Sequence, residues 1–162
     1  DDLELGPVIS QRQKDVIEKY IEDARGLEEL SIGNAMDGLP EKGNYVLPRL
    51  FGNVPNSHKL AQEEIFGPVQ VIIPFDDEEE AINIANDTKY GLVASVWTKD
   101  GARQMRVAKA IKSGQVFINN YGAGGGVELP FGGTGHSGHG REKGFEALYG
   151  FSTLKTVAAF HG

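Results

Sequence analysis

The chain sets two adjacent carboxylates beside an aromatic ring and a rigid turn, in Gln62-Glu63-Glu64-Ile65-Phe66-Gly67-Pro68-Val69. A carboxylate accepts hydrogen bonds from two hydroxyls at once, and a ring offers a flat apolar face. Glu64 with Phe66 therefore suits a sugar diol joined to a flat heterocycle, each charge-assisted bond contributing about 1.5–3 kcal/mol. Gly67 frees the backbone and Pro68 fixes the next φ. Both side chains are thus expected at the mouth of a strand, Val69-Gln70-Val71-Ile72-Ile73-Pro74-Phe75. On these residues alone, a solvated acidic turn ahead of a strand explains the same letters.

Composition bounds the remaining chemistry. The chain has 162 residues, enough for one ordinary domain, and no cysteine. That excludes disulfides, thiolate metal sites and a cysteine nucleophile within these residues. A net charge of −7 and a pI near 5.1 argue against nucleic acid or an anionic membrane as partner. No apolar run approaches the ~18 residues that span a bilayer, and no signal-peptide pattern opens the chain. Because the first residue is Asp1 rather than Met, the expectation is a piece of a longer chain. Its location is read as cytoplasmic, with organellar targeting left open.

Two glycine-rich decoys lie further on. Gly133-Thr134-Gly135-His136-Ser137-Gly138 spells G-x-G-x-x-G, but Pro130 precedes it and no acid follows near position 158. His136 and His139 have the spacing of a metal pair, yet no third ligand accompanies them. Phosphate binding and metal binding are not expected at either place; solvated loop histidines are.

The elements that must position Glu64 and Phe66 are legible in outline. Ser10 with Gln13 reads as a capping box, followed by Val16, Ile17, Tyr20, Ile21 and Ala24 at helical spacing and by Gly26 as the stop. A short strand is expected over Leu27 to Ile32, a turn-rich connection over Gly33 to Asn44, and a strand over Tyr45 to Phe51. Pro48 would restrict that last strand to an edge or an irregular stretch. Strand 69–75 leads through the acidic Asp76 to Glu80 turn into a helix with Ala81, Ile82, Ile84 and Ala85 inward. Strand Leu92 to Trp97 follows. A second helix, capped by Asp100, turns Met105, Ala108 and Ile111 inward and carries Lys109 and Lys112 in its last turn, and strand Gln115 to Asn119 closes the series. This predicts two right-handed βαβ crossovers and a parallel α/β sheet with flanking helices. After a glycine-rich loop come a short helix near Glu142–Leu148 and a strand, Phe151 to Phe160, with no local partner. Such an orphan strand pairs with another subunit.

Taken in order, several motifs resemble the C-terminal third of the NAD(P)-dependent aldehyde dehydrogenases. They are Gly6-Pro7-Val8-Ile9-Ser10, Gln62 to Val69, Asn86-Asp87-Thr88-Lys89-Tyr90-Gly91-Leu92, Gly114 to Asn119, Pro130-Phe131-Gly132-Gly133, Ser137-Gly138-His139-Gly140-Arg141-Glu142 and Thr153-Leu154-Lys155-Thr156-Val157. The resemblance implies that Glu64 hydrogen-bonds the nicotinamide ribose and that Phe66 lies against the same end of the cofactor. It implies that Phe131 lines the aldehyde channel, although a core aromatic in a glycine turn reads the same. Tyr121 and the Gly122–Val127 loop match the stretch that shapes substrate choice.

In that family a cysteine thiolate attacks the aldehyde, hydride leaves the thiohemiacetal for NAD or NADP, and a glutamate activates water to release the acid. The nucleophile and the general base lie upstream in the family, so this chain contributes no catalytic group and is expected to be inactive alone. Residues 1–150 would belong to the catalytic domain and 151–162 to an oligomerisation strand, in a dimer or tetramer. Gly135 stands where lysine is common, loosening the loop, and Arg49 where threonine is usual. The side-chain-free Gly122 to Gly126 run would widen the pocket. A stand-alone, non-catalytic oligomerisation or regulatory module is the alternative, and a reductase of the glutamyl-phosphate type a third.

Overall fold

The computed structural model describes residues 5–30, 39, 42–122 and 126–162. They fall into two compact units, Asp1–Phe75 and Asp76–Gly162.

In the first unit, helix α1 (Gln11–Asp23) starts where Ser10 Oγ accepts the Gln13 N–H at 3.2 Å, as the capping box predicts. It ends at Ala24, and Gly26 turns the chain with φ +100°. Strand β1 (Glu28–Leu30) pairs antiparallel with β2 (Arg49–Gly52). A short helix α2 (Lys59–Gln62) leads to β3 (Val69–Val71), which runs parallel to β2. The order β1-β2-β3 makes β2 the central strand, so of the two placements that Pro48 allowed, an edge or an irregular stretch, residues 44–48 take the second. Pro48 stands just outside the ladder, whose first bond runs from the Arg49 N–H to the Pro68 carbonyl at 2.9 Å. The connection predicted over 33–44 and the end of the strand predicted over 27–32 lie largely outside the described residues.

Ile17, Ala24, Phe51, Val54, Leu60 and Ile65 form the buried core of this unit. Burial of each larger side chain stabilises by about 1.5–3 kcal/mol. Tyr20 and Ile21 pack partly against it, whereas Val16, expected inward, is exposed. The apolar stripe of α1 is narrower than the letters indicate.

The second unit begins with α3 (Glu78–Asn86), where Asp77 Oδ1 accepts the Glu80 N–H at 2.8 Å. Next come β4 (Tyr90–Gly91), β5 (Val93–Val96) and α4 (Gly101–Ala110), the last capped by Asp100 accepting from the N–H groups of Ala102 and Arg103. Strand β6 (Gln115–Ile118) lies parallel to β5, and β7 (Thr134–Gly135) antiparallel to β4. A single turn, α5 (Ala147–Gly150), follows. Glu78 joins the two longer helices by accepting from Arg103 Nε at 2.9 Å and from Arg106 Nε and Nη2 at 2.9 and 2.8 Å.

The β5-α4-β6 crossover is the second of the two predicted. The strands of the first, β3 and β5, lie in different units, the one paired with β2 and the other with β6. Met105 is exposed rather than inward, and the half-buried positions of α4 include Gln104, whose Nε2 donates to the Thr98 carbonyl at 2.8 Å. Residues 152–162 make no ladder with any described residue and are exposed throughout.

Candidate functional site

The 62–69 turn is pinned from below by α1. Ile65 is buried, at 7% exposure, between two exposed neighbours, Glu64 and Phe66. The sequence assigns the backbone freedom to Gly67, but the left-handed residue is Phe66, with φ +57°. A bulky aromatic there is strained by roughly 1–3 kcal/mol and persists only where its surroundings over-determine it. Gly67 is required for a different reason: a Cβ at that position would run into the Ile17 side chain, which is fully buried. Pro68 then feeds β3.

Two side chains of α1 complete the support. Gln13 Nε2 donates to the carbonyls of Ile65 and Phe66 at 3.0 and 3.3 Å. Tyr20 Oη donates to Glu63 Oε2 at 2.6 Å. The adjacent carboxylates are therefore not equivalent. Glu63 is committed to α1, whereas Glu64 has no hydrogen bond or ion pair with any described residue. A carboxylate with no bond to a described residue, two positions before an exposed ring on a left-handed backbone, fits the demand of a ribose diol next to a flat heterocycle.

Phe131 and Tyr121 lie in the second unit on separate segments. Phe131 exchanges two backbone hydrogen bonds with Glu142, each 2.6 Å, and Lys143 Nζ sits 5.4 Å from its ring centroid. Its half-buried ring lines an open groove of about 500 Å³ with Leu92, Ser137, His139, Arg141 and Phe151. Arg141 Nη1 donates to the Gly133 and Gly140 carbonyls at 3.1 and 2.6 Å, bracing the glycine turn under Phe131.

Tyr121 is 76% exposed. It follows Asn119, which has φ 49° and whose side chain exchanges hydrogen bonds with the Thr98 backbone, both 2.9 Å. Of the predicted loop beyond Tyr121, residues 123–125 lie outside the described residues.

The family model for "Aldehyde dehydrogenase family" matches residues 1–157. The chain belongs to the aldehyde dehydrogenase family. It is 40% identical to the betaine aldehyde dehydrogenase of Sinorhizobium fredii, over 95% of this chain and 32% of that protein. Among solved structures, a candidate aldehyde dehydrogenase from Burkholderia cenocepacia shares 58% identity with a TM-score of 0.92, covering 99% of this chain and 34% of that one. The indole-3-acetaldehyde dehydrogenase AldA of P. syringae, solved as a mutant in complex with NAD+ and IAA, shares 40% identity with a TM-score of 0.85. That match covers 93% of this chain and 30% of the other. The chain thus spans about a third of the length of the relatives it matches.

Within this aldehyde dehydrogenase segment the G-x-G-x-x-G letters form β7 and a turn, and no helix opens inside them. Gly135 does not simply loosen its loop. It has φ +60°, and a Cβ would collide with the Lys89 carbonyl. His136 packs edge-on against Tyr90 at 5.9 Å, and no cluster of three metal-ligating side chains occurs among the described residues. Arg49 pairs with Glu29 across β1 and β2.

Sequence reasoning missed the long-range roles of Gln13, Tyr20 and Arg141. The capping box predicted from Ser10 and Gln13 would turn the Gln13 side chain back to the Ser10 N–H; only the Ser10 half is seen, and the Gln13 amide instead reaches a turn 52 residues away, which nothing local signals.

Proposed function

We propose that this segment is the cofactor-clamping and substrate-channel part of a dehydrogenase that oxidises an aldehyde to its carboxylic acid with NAD or NADP. Glu64 accepts hydrogen bonds from the nicotinamide ribose hydroxyls, and Phe66 bounds the nicotinamide end. Phe131 and Tyr121 face the aldehyde. The cofactor supplies the hydride acceptor; the nucleophilic cysteine and the general base come from outside these residues, since the chain has no cysteine. Support for the cofactor comes from two aldehyde dehydrogenase neighbours solved with NAD+, at 40% and 42% identity. The observation that carries the reading is Glu64, without a hydrogen bond or ion pair among the described residues, two positions before a Phe66 in a left-handed backbone conformation.

The 151–162 tail is an oligomerisation strand in the same proposal. Leu154, Val157 and Phe160 are 98%, 81% and 95% exposed, and in an extended strand Leu154 and Phe160 would share one face, apolar surface that a second subunit would cover. Deleting 152–162 should lower the oligomeric state in sedimentation, and an unchanged state would remove the tail from the account. The remainder, 1–150, belongs to the catalytic domain. No helix among the described residues is long and apolar enough to cross a membrane; a cytoplasmic location is part of the proposal, tested by cell fractionation.

The test of function is Glu64→Gln in the complete dehydrogenase chain. Replacing the charged acceptor should raise the dinucleotide KM by roughly tenfold to a hundredfold with the aldehyde KM little changed. An unchanged dinucleotide KM would remove Glu64 from the cofactor site.

A further inference from the structure

The strain at Phe66 needs an agent that holds it, and the side chain placed to do so is on α1. The carbonyl of Ile65 precedes the φ torsion of Phe66, and the carbonyl of Phe66 follows its ψ torsion. Anchoring both oxygens to one rigid group fixes both torsions. In an extended strand successive carbonyls point to opposite sides, so a single donor group cannot reach both; at a left-handed residue they converge. Gln13 Nε2, whose amide carries two hydrogens, meets them at 3.0 and 3.3 Å. Both partners are acceptors, so only the NH₂ end of the amide can face them.

Gln13 is itself rigidly based. Its backbone N–H is capped by Ser10, and one turn further along α1 the buried Ile17 packs against Gly67.

We propose that Gln13 is a positioning residue for the cofactor, clamping the two peptides that flank Phe66 so that the ring and the adjacent Glu64 are held ready for the dinucleotide. The proposal rests on the reading of Glu64 and Phe66 given above. Without the clamp, Phe66 relaxes toward an ordinary backbone conformation, and the cofactor must restore the turn when it binds. Affinity then falls by the fraction of molecules that hold the competent conformation.

The discriminating variant is Gln13→Glu in the complete dehydrogenase chain. If the side chain served only the helix, glutamate would be as good or better, because it is a preferred capping-box residue and is favoured by the dipole of the first turn. As a clamp it fails, because a carboxylate facing two carbonyl oxygens repels them. The expected result is a dinucleotide KM raised about tenfold, with the aldehyde KM within about twofold of the parent. Gln13→Met, which removes the donor without adding charge, should give a smaller rise, and Gln13→Lys, which restores a donor, should recover most of the loss.

A parent-like dinucleotide KM in both Gln13→Glu and Gln13→Met, with Glu64→Gln still impaired, overturns the clamp and leaves the cofactor reading standing. If Glu64→Gln is silent as well, the cofactor reading falls and the clamp with it. Should Gln13→Glu fail to fold, Gln13→Met carries the same decision.

Discussion

The 62–69 turn and the Asn119–Val127 stretch belong to one family domain yet are built on opposite principles. Every residue of the first that is not exposed for use is tied down: Ile65 by the core, Gly67 by Ile17, Glu63 by Tyr20, and the peptides around Phe66 by Gln13. In the second, the described residues are held at the two ends, where Asn119 clasps Thr98 and where the Val127 carbonyl accepts the Gly144 N–H at 2.7 Å, and Tyr121 between them is exposed. The difference matches the two tasks proposed for them. A cofactor is the same in every turnover and rewards a preorganised contact, whereas an aldehyde pocket is adjusted by changing loop side chains.

The two units differ in the same sense. The first closes a core of six buried apolar residues. The second leaves Trp97, Met105, Phe145 and Tyr149 more than half exposed around a two-stranded parallel sheet. Parallel sheets are ordinarily covered on both faces.

The comparison breaks most severely at the packing beneath the cofactor turn. Ile17→Ala empties a fully buried site and should cost about 2–5 kcal/mol in denaturant unfolding of the complete chain. Gly67→Ala should cost about 1–3 kcal/mol by forcing its methyl against Ile17. The double variant should be less destabilised than the sum of the two, because the smaller residue at 17 makes room for the new methyl. Strict additivity would mean that the two positions do not press on one another.

Acid sharpens the contrast from the other side. Hydrogen bonds from Arg106 first and Arg103 second hold the Glu78 carboxyl at about 2, below its ordinary 4.5. Because the folded value is depressed, the α3–α4 pairing stabilises fully above pH 4.5 and is lost as pH falls toward 2. Thermal unfolding followed by circular dichroism at pH 5 and pH 3 should show a smaller acid-induced drop in Glu78→Gln than in the parent; equal drops would contradict this. The smallest effect belongs to Tyr121→Ala. At such an exposed site stability should change by less than about 0.5 kcal/mol, while the ranking of aldehydes by kcat/KM shifts. A large loss of stability would show that Tyr121 is packed rather than presented.

Local signals carried much of this arrangement. Ser10, the acidic Asp76 to Glu80 turn and Asp100 marked three helix starts that the structure reproduces, and the ordered motifs identified the family. What stayed illegible depends on pairing across distance. Pro48 signals an edge or an irregular stretch by its missing N–H, and the irregular stretch forms, but nothing local shows that a central strand begins one residue later. Gly67 draws attention as the flexible residue, while tertiary contacts impose the unusual torsion on Phe66 next to it. The two glutamates are identical as letters and are separated only by which one Tyr20 reaches.

That separation is also the most direct test. In the complete dehydrogenase chain, Glu63→Gln and Glu64→Gln should be compared for dinucleotide KM under identical conditions. The account predicts about a tenfold or greater rise for Glu64→Gln and less than about twofold for Glu63→Gln, whose carboxylate already serves α1. Equal effects, or a larger effect at Glu63, would contradict the assignment of Glu64 as the ribose ligand.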